Sequence, residues 1–165
     1  MSPTPALAAD GDASIPQGPR WVIFECQGRT LGVPLERVRE IVPPHPLTPI
    51  PGCGREVCGL IALRGRVVTV FDLGASLGLR PSSDRPDYRL LLIEHGNRVL
   101  GLAVEEVLTV EHATIRARGE GRAAETTGSG DAAGREFEAL DVTRVLNRLL
   151  AREDGIHGKT GADLR

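Results

Sequence analysis

The chain carries a pattern twice. Leu31-Gly32-Val33-Pro34-Leu35-Glu36-Arg37-Val38-Arg39-Glu40-Ile41 lies over Leu100-Gly101-Leu102-Ala103-Val104-Glu105-Glu106-Val107-Leu108-Thr109-Val110 at a constant offset of 69 residues. Leu, Gly, Glu and Val recur at four equivalent positions. Each copy follows an apolar run and a turn: Trp21 to Cys26 with Gln27-Gly28 in the first, Tyr88 to Glu94 with His95-Gly96-Asn97 in the second. The repeated unit reads as strand, turn, strand and a short helical turn, placed at Leu35 to Val42 in the first copy. Two copies fall short of a solenoid, so the pattern implies two similar sub-barrels packed together.

The strongest local signal is Val57 to Leu73. Leu60 to Leu63 and Val67 to Phe71 form two apolar strands, and Gly65 supplies the positive φ of the tight turn between them. Arg64 is therefore displayed at a hairpin tip. Asp72 and Asp141 each precede a run with helical spacing, over Asp72 to Leu79 and Asp141 to Leu150, where a carboxylate caps free amide groups. Glu105 and Glu106 are expected on a solvated face.

Apolar alternation runs from Trp21 to Leu150, about 130 residues, enough for one compact domain. Three stretches carry little to bury: residues 1–19, residues 118–135 and residues 151–165. They read as a mobile tail, a flexible insert and a frayed tail. The break at Arg80 to Asp87 divides the apolar region into halves. Twenty basic against 22 acidic residues, a net charge of −2, provide no field for nucleic acid or an anionic membrane, and five aromatics are too few for a base-stacking surface. No stretch approaches the roughly 20 apolar residues of a membrane span. Cys26, Cys53 and Cys58 read as free thiols in a reducing, cytoplasmic compartment.

Catalytic patterns are sparse. His45, Cys53 and Cys58 are the only grouping to weigh as a metal or thiol centre, and Cys-x4-Cys is too wide for a usual zinc knuckle. No nucleophile elbow or phosphate loop is recognisable. The sequence thus points to a binding module.

The order of these residues resembles the CheW family of chemotaxis coupling proteins over about residues 21 to 116. The resemblance is carried by Phe24, Gly28, Leu31-Gly32-Val33, Val38-Arg39-Glu40-Ile41-Val42, Ile50-Pro51, Val57-Cys58-Gly59-Leu60-Ile61-Ala62-Leu63-Arg64-Gly65 and Val70-Phe71-Asp72-Leu73. Val99-Leu100-Gly101-Leu102, Val107, Val110 and Leu140-Asp141-Val142 extend it. It implies an all-β fold of two SH3-like five-stranded barrels with a C-terminal helix, spanning residues 20–150. The first barrel is expected at about 35–87 with contributions from the chain ends, the second at about 88–140. It also implies a non-enzymatic adaptor joining the cytoplasmic tips of methyl-accepting chemoreceptors to the regulatory domain of a CheA-like histidine kinase. Arg64 and Gly65 then stand at the receptor-binding turn, and Val38, Gly59 and Val110 at positions linked to receptor or kinase coupling. Ala62 replaces a common asparagine and Glu105 a usual aspartate. The Gly/Ala-rich stretch 118–135 stands where the family has a glycine-marked strand, so the second barrel is expected to be irregular there. A divergent scaffold lacking the kinase contact, outside motility, is the alternative.

Overall fold

The computed structural model describes residues 18–117 and 125–162, with side chains through Glu153. Residues 1–17 of the expected 1–19 tail and residues 118–124 of the expected insert lie outside the described residues. The strands are β1 (Arg20–Cys26), β2 (Arg29–Pro34), β3 (Val38–Val42), β4 (Val57–Leu63), β5 (Arg66–Asp72), β6 (Arg89–His95), β7 (Arg98–Val104), β8 (Glu106–His112), β9 (Thr114–Ala117), β10 (Thr126–Ala132) and β11 (Arg135–Leu140). Helix α1 is Leu73–Ser76 and α2 is Val142–Ala162.

The duplication governs the whole fold. β1 and β6 begin at Arg20 and Arg89, β2 and β7 at Arg29 and Arg98, β4 and β10 at Val57 and Thr126, β5 and β11 at Arg66 and Arg135, and α1 and α2 at Leu73 and Val142, each pair 69 residues apart. The repeats do not fold as separate barrels, however. They exchange hairpins. One sheet has the order β3-β6-β7-β5-β4 and the other β8-β1-β2-β11-β10-β9. The central barrel, residues 38–104, thus takes β6 and β7 from the second repeat, and the terminal barrel takes β1 and β2 from the first. This differs from the boundary expected near residue 87. The joints are two equivalent parallel ladders, Val70↔Gly101 in the central barrel and Ala139↔Gly32 in the terminal one.

The terminal sheet counts six strands because Ala113 interrupts one continuous path. β8 pairs with β1 on one side of that break and β9 with β10 on the other, which closes the barrel. The central barrel closes through Thr48, whose backbone N–H and C=O exchange hydrogen bonds of 2.8 Å with Leu60.

Three local expectations are corrected. The helical turn at Leu35 to Val42 is a 3₁₀ turn at Leu35–Arg37 followed by strand β3. Val38, Ile41 and Val42 are β-branched, and they pair with Ile93, Leu91 and Leu90 of β6. The same applies to Val107 and Val110, which lie on β8. The insert expected at 118–135 contains β10 and the turn to β11. Its glycines are structural. A Cβ on Gly128 would stand 2.3 Å from the Arg116 carbonyl oxygen, and one on Gly130 would stand 2.7 Å from the Phe137 ring. Finally, the tail at 151–165 continues α2 as far as Ala162. A helix nucleated by three packed turns propagates more readily than one that must start afresh.

The largest core lies between the barrels. Phe24, Leu31 and Val33 from one sheet meet Phe71, Leu91 and Leu102 from the other, covered by Val145, Leu146 and Leu149 of α2. Each barrel also has an interior. The terminal one is filled by Phe137 beside Trp21, with ring centroids 5.6 Å apart. Gly130 and Phe137 correspond to Ile61 and Val68 in the central barrel, so a small-large pair is replaced by two aliphatics of middling size.

Candidate functional site

The β4–β5 hairpin ends in the two-residue turn Arg64-Gly65, with φ of 49° and 75°. Both values are left-handed, as the twist of a tight hairpin requires. The side chain of Arg64 is 72% exposed, yet it is held. Its Nη1 and Nη2 donate to the two carboxylate oxygens of Glu40 on β3 at 2.7 and 2.6 Å. A bidentate fork fixes the guanidinium plane, which a single contact would leave free to rotate.

Beside this pair lies a groove of about 160 Å³ at the mouth of the central barrel. Leu63, Val68, Leu92 and Val99 form its apolar floor, and Arg39 and Arg66 extend the cationic rim. The geometry offers an apolar surface framed by oriented donors. Such a frame suits protein recognition, where arginine beside aliphatic contacts is a frequent anchor.

The other residues singled out from the sequence take different places. Gly65 is exposed, and a Cβ there would meet nothing within 4 Å, so its glycine serves the turn. Val38 begins β3, two residues from Glu40, and packs half-buried against the main core. Gly59, on β4, has φ of 139°, and a Cβ would stand 2.4 Å from the Thr48 carbonyl oxygen at the barrel closure. Val110 is in the other sheet, opposite Val22. Arg64, Gly65 and β3 are therefore brought together, while Val110 stands apart. Sequence reasoning missed Glu40 and the groove floor. With 35–42 read as helical, nothing suggested that Glu40 would reach across the barrel mouth.

Asp72 does more than cap α1. Its Oδ1 accepts from Ala75 N and Ser82 N at 3.0 and 2.9 Å, and its Oδ2 accepts from Ser83 N and Ser83 Oγ at 2.9 and 2.7 Å. The carboxylate is fully buried and pins the 80–84 loop to the barrel. Asp141 Oδ1 accepts from Arg144 N at 3.0 Å, the equivalent cap on α2. Glu105, expected on a solvated face, is buried, where it accepts from Gln27 and lies 3.8 Å from Arg85. The inter-barrel joint withdraws it from water and supplies partners in compensation.

Burial and the neighbouring Asp72 push the Cys58 thiol up from its ordinary 9.0 to about 12. That is the reverse of an activated nucleophile. Cys53 sits in a loop, and His45 Nδ1 lies 2.8 Å from the Pro43 carbonyl oxygen. Among the described residues no three or more His, Cys, Asp or Glu side chains are grouped to hold a metal. No helix among them is long and apolar enough to cross a membrane.

The CheW-like domain model matches residues 20–149. The chain belongs to the CheW-like domain family. It is 34% identical to Protein PilI of Pseudomonas aeruginosa over 89 residues, 54% of this chain and 50% of that protein. The match therefore spans about half of that relative's length. It is 30% identical to the chemotaxis protein CheW of Bacillus subtilis over 112 residues, 66% of this chain and 72% of that protein. Among solved structures, the scaffolding protein TtCheW of Thermoanaerobacter tengcongensis superposes with a TM-score of 0.71 at 21% identity, covering 78% of this chain and 92% of that one. At that identity the likeness establishes the double-barrel fold. Membership in the CheW-like family also agrees with the Leu-Arg-Gly turn and its neighbouring strands.

Proposed function

We propose that this chain is a non-enzymatic coupling protein that links the cytoplasmic tips of chemoreceptors to the regulatory domain of a CheA-type histidine kinase. The observation that carries this reading is the Arg64 guanidinium, exposed yet oriented by Glu40 beside an apolar groove, in a chain whose family match covers residues 20–149. Arg64 and Gly65 contact the receptor. Val38 sets the start of the strand that carries Glu40, and Gly59 keeps the barrel closure intact. Val110, in the other sheet, belongs to a second face suited to the kinase. Coupling follows from holding two partners at fixed relative positions, so that a receptor movement shifts the kinase between active and inactive populations. The work is cytoplasmic, and no cofactor takes part.

Reconstitution tests the coupling reading directly. A receptor signalling-tip fragment on beads should retain the kinase regulatory domain only when this chain is present. Equal retention with and without it contradicts the proposal.

A further inference from the structure

The duplication supplies an internal comparison between two notches. In the terminal barrel, β2 and β11 pair in parallel only at Leu31↔Glu138 and Gly32↔Ala139. Beyond that ladder, Arg29 Nε donates to Glu138 Oε2 at 3.1 Å and ties the two strands together. In the central barrel the equivalent ladder joins β7 and β5 from Gly101↔Val70 to Ala103↔Asp72. Arg98 stands where Arg29 stands, but the position of Glu138 is taken by Thr69.

The guanidinium of Arg98 is therefore exposed, with no hydrogen bond or ion pair among the described residues, and Arg66 on the same rim is in the same condition. The apolar content changes as well. Thr30 and Glu136 of the terminal barrel become Val99 and Val67. Val67 is 70% exposed, the one large apolar side chain so exposed among the described residues. Between β5 and β7 these substitutions leave a notch of about 350 Å³.

We propose that this notch is a docking site for an acidic, extended segment of a partner protein. A carboxylate of the segment takes the place of Glu138 on Arg98, and a neighbouring apolar side chain covers Val67 and Val99. β5 is paired with β4 from Arg66 to Thr69, while its ladder to β7 begins only at Val70, so one edge is open to an added strand. Two unpaired arginines select for acid. The notch shares Arg66, Val68 and Val99 with the Arg64 groove, but the inference stands on the notch residues alone and goes beyond receptor coupling.

The probe is a synthetic peptide of alternating Glu and Leu, titrated into the full isotopically labelled chain and followed by amide chemical shifts. Shifts should concentrate at Val67, Thr69, Arg98 and Val99. Thr69→Glu should rebuild the terminal barrel's ion pair and weaken binding about tenfold or more without lowering the melting temperature. Because Thr69 is buried, the exposed Arg98→Glu is the second variant, with a similar loss expected. A Lys-Leu peptide of equal length should not bind. Scattered or absent shifts with folded protein, unchanged binding in Arg98→Glu, or equal binding of the Lys-Leu peptide would each overturn the proposal.

Discussion

Arg64 and Glu40, one on a hairpin tip and the other on the first strand of the same barrel, meet through two hydrogen bonds of 2.7 and 2.6 Å. The pair converts a flexible cation into a fixed one at the edge of an apolar groove. An exposed pair of this kind contributes only about 0.2–1 kcal/mol to folding, so its main effect is on recognition.

Arg64→Glu should consequently weaken association with a receptor tip by about tenfold or more, while stability changes by no more than about 1 kcal/mol. Titration and thermal melting on the same sample separate the two effects. Arg64→Gly sharpens the test, because glycine relieves the left-handed φ of 49° while removing the guanidinium. It should melt no lower than the wild type and still bind poorly. A large loss of folding stability in both variants would assign Arg64 to the fold.

Gly59→Ala should behave in the opposite way. The added Cβ meets the Thr48 carbonyl oxygen at 2.4 Å, and φ of 139° disfavours any L side chain. We expect a loss of about 2 kcal/mol or more by denaturant unfolding, with weaker partner binding following from it. Near-wild-type stability would show that the Thr48–Leu60 closure is pliable.

Thiol chemistry should rank the cysteines by how far desolvation and neighbouring carboxylates suppress the thiolate. At pH 8 a disulfide reagent should modify Cys53 quickly, and Cys26 and Cys58 only as the chain unfolds. The folded Cys58 thiol titrates near 12 against an ordinary 9.0, so its contribution to stability is complete below pH 9.0 and declines as pH rises toward 12. Cys58→Ser should flatten that alkaline limb. Rapid modification of folded Cys58 would contradict the suppression of its thiolate.

Arg148 of α2 donates to Glu125 Oε1 and to the Ser76 carbonyl oxygen, both at 2.7 Å, joining the helix to both repeats. This hydrogen bond holds the Glu125 carboxyl below its ordinary 4.5. The stabilisation is present above pH 4.5 and is lost as pH falls through the depressed value. The fall in melting temperature from pH 6 to pH 3 should therefore be smaller in Glu125→Gln than in the wild type, a difference of about 1 kcal/mol or less. An equal fall in both would mean that the pair is too solvated to matter.

Local signals in the chain are legible where they are self-contained. Arg64-Gly65 and Gln27-Gly28 set their hairpins through positive φ, and Asp72 and Asp141 capped the helices that follow them. Val38 to Val42 misled because β-branched residues beside Glu and Arg fit a short amphipathic turn until β6 pairs with them. Gly128 and Gly130 looked like linker composition, yet close approach of Arg116 and Phe137 is what demands glycine there. Hairpin exchange was invisible for a different reason. A repeat records that two units are alike, and Val70↔Gly101 pairing depends on which copy each strand meets. For the same reason Glu40 could not be joined to Arg64 from spacing alone, since the contact spans the barrel mouth.

The most direct test of the coupling claim is a calorimetric titration of the folded chain with the regulatory domain of a CheA-like kinase from the same cell, at moderate salt. The account expects a saturable one-to-one isotherm with a dissociation constant of about 1 μM, or roughly −8 kcal/mol. No heat and no co-elution from demonstrably folded samples would contradict it, leaving a scaffold of the same fold without a kinase contact.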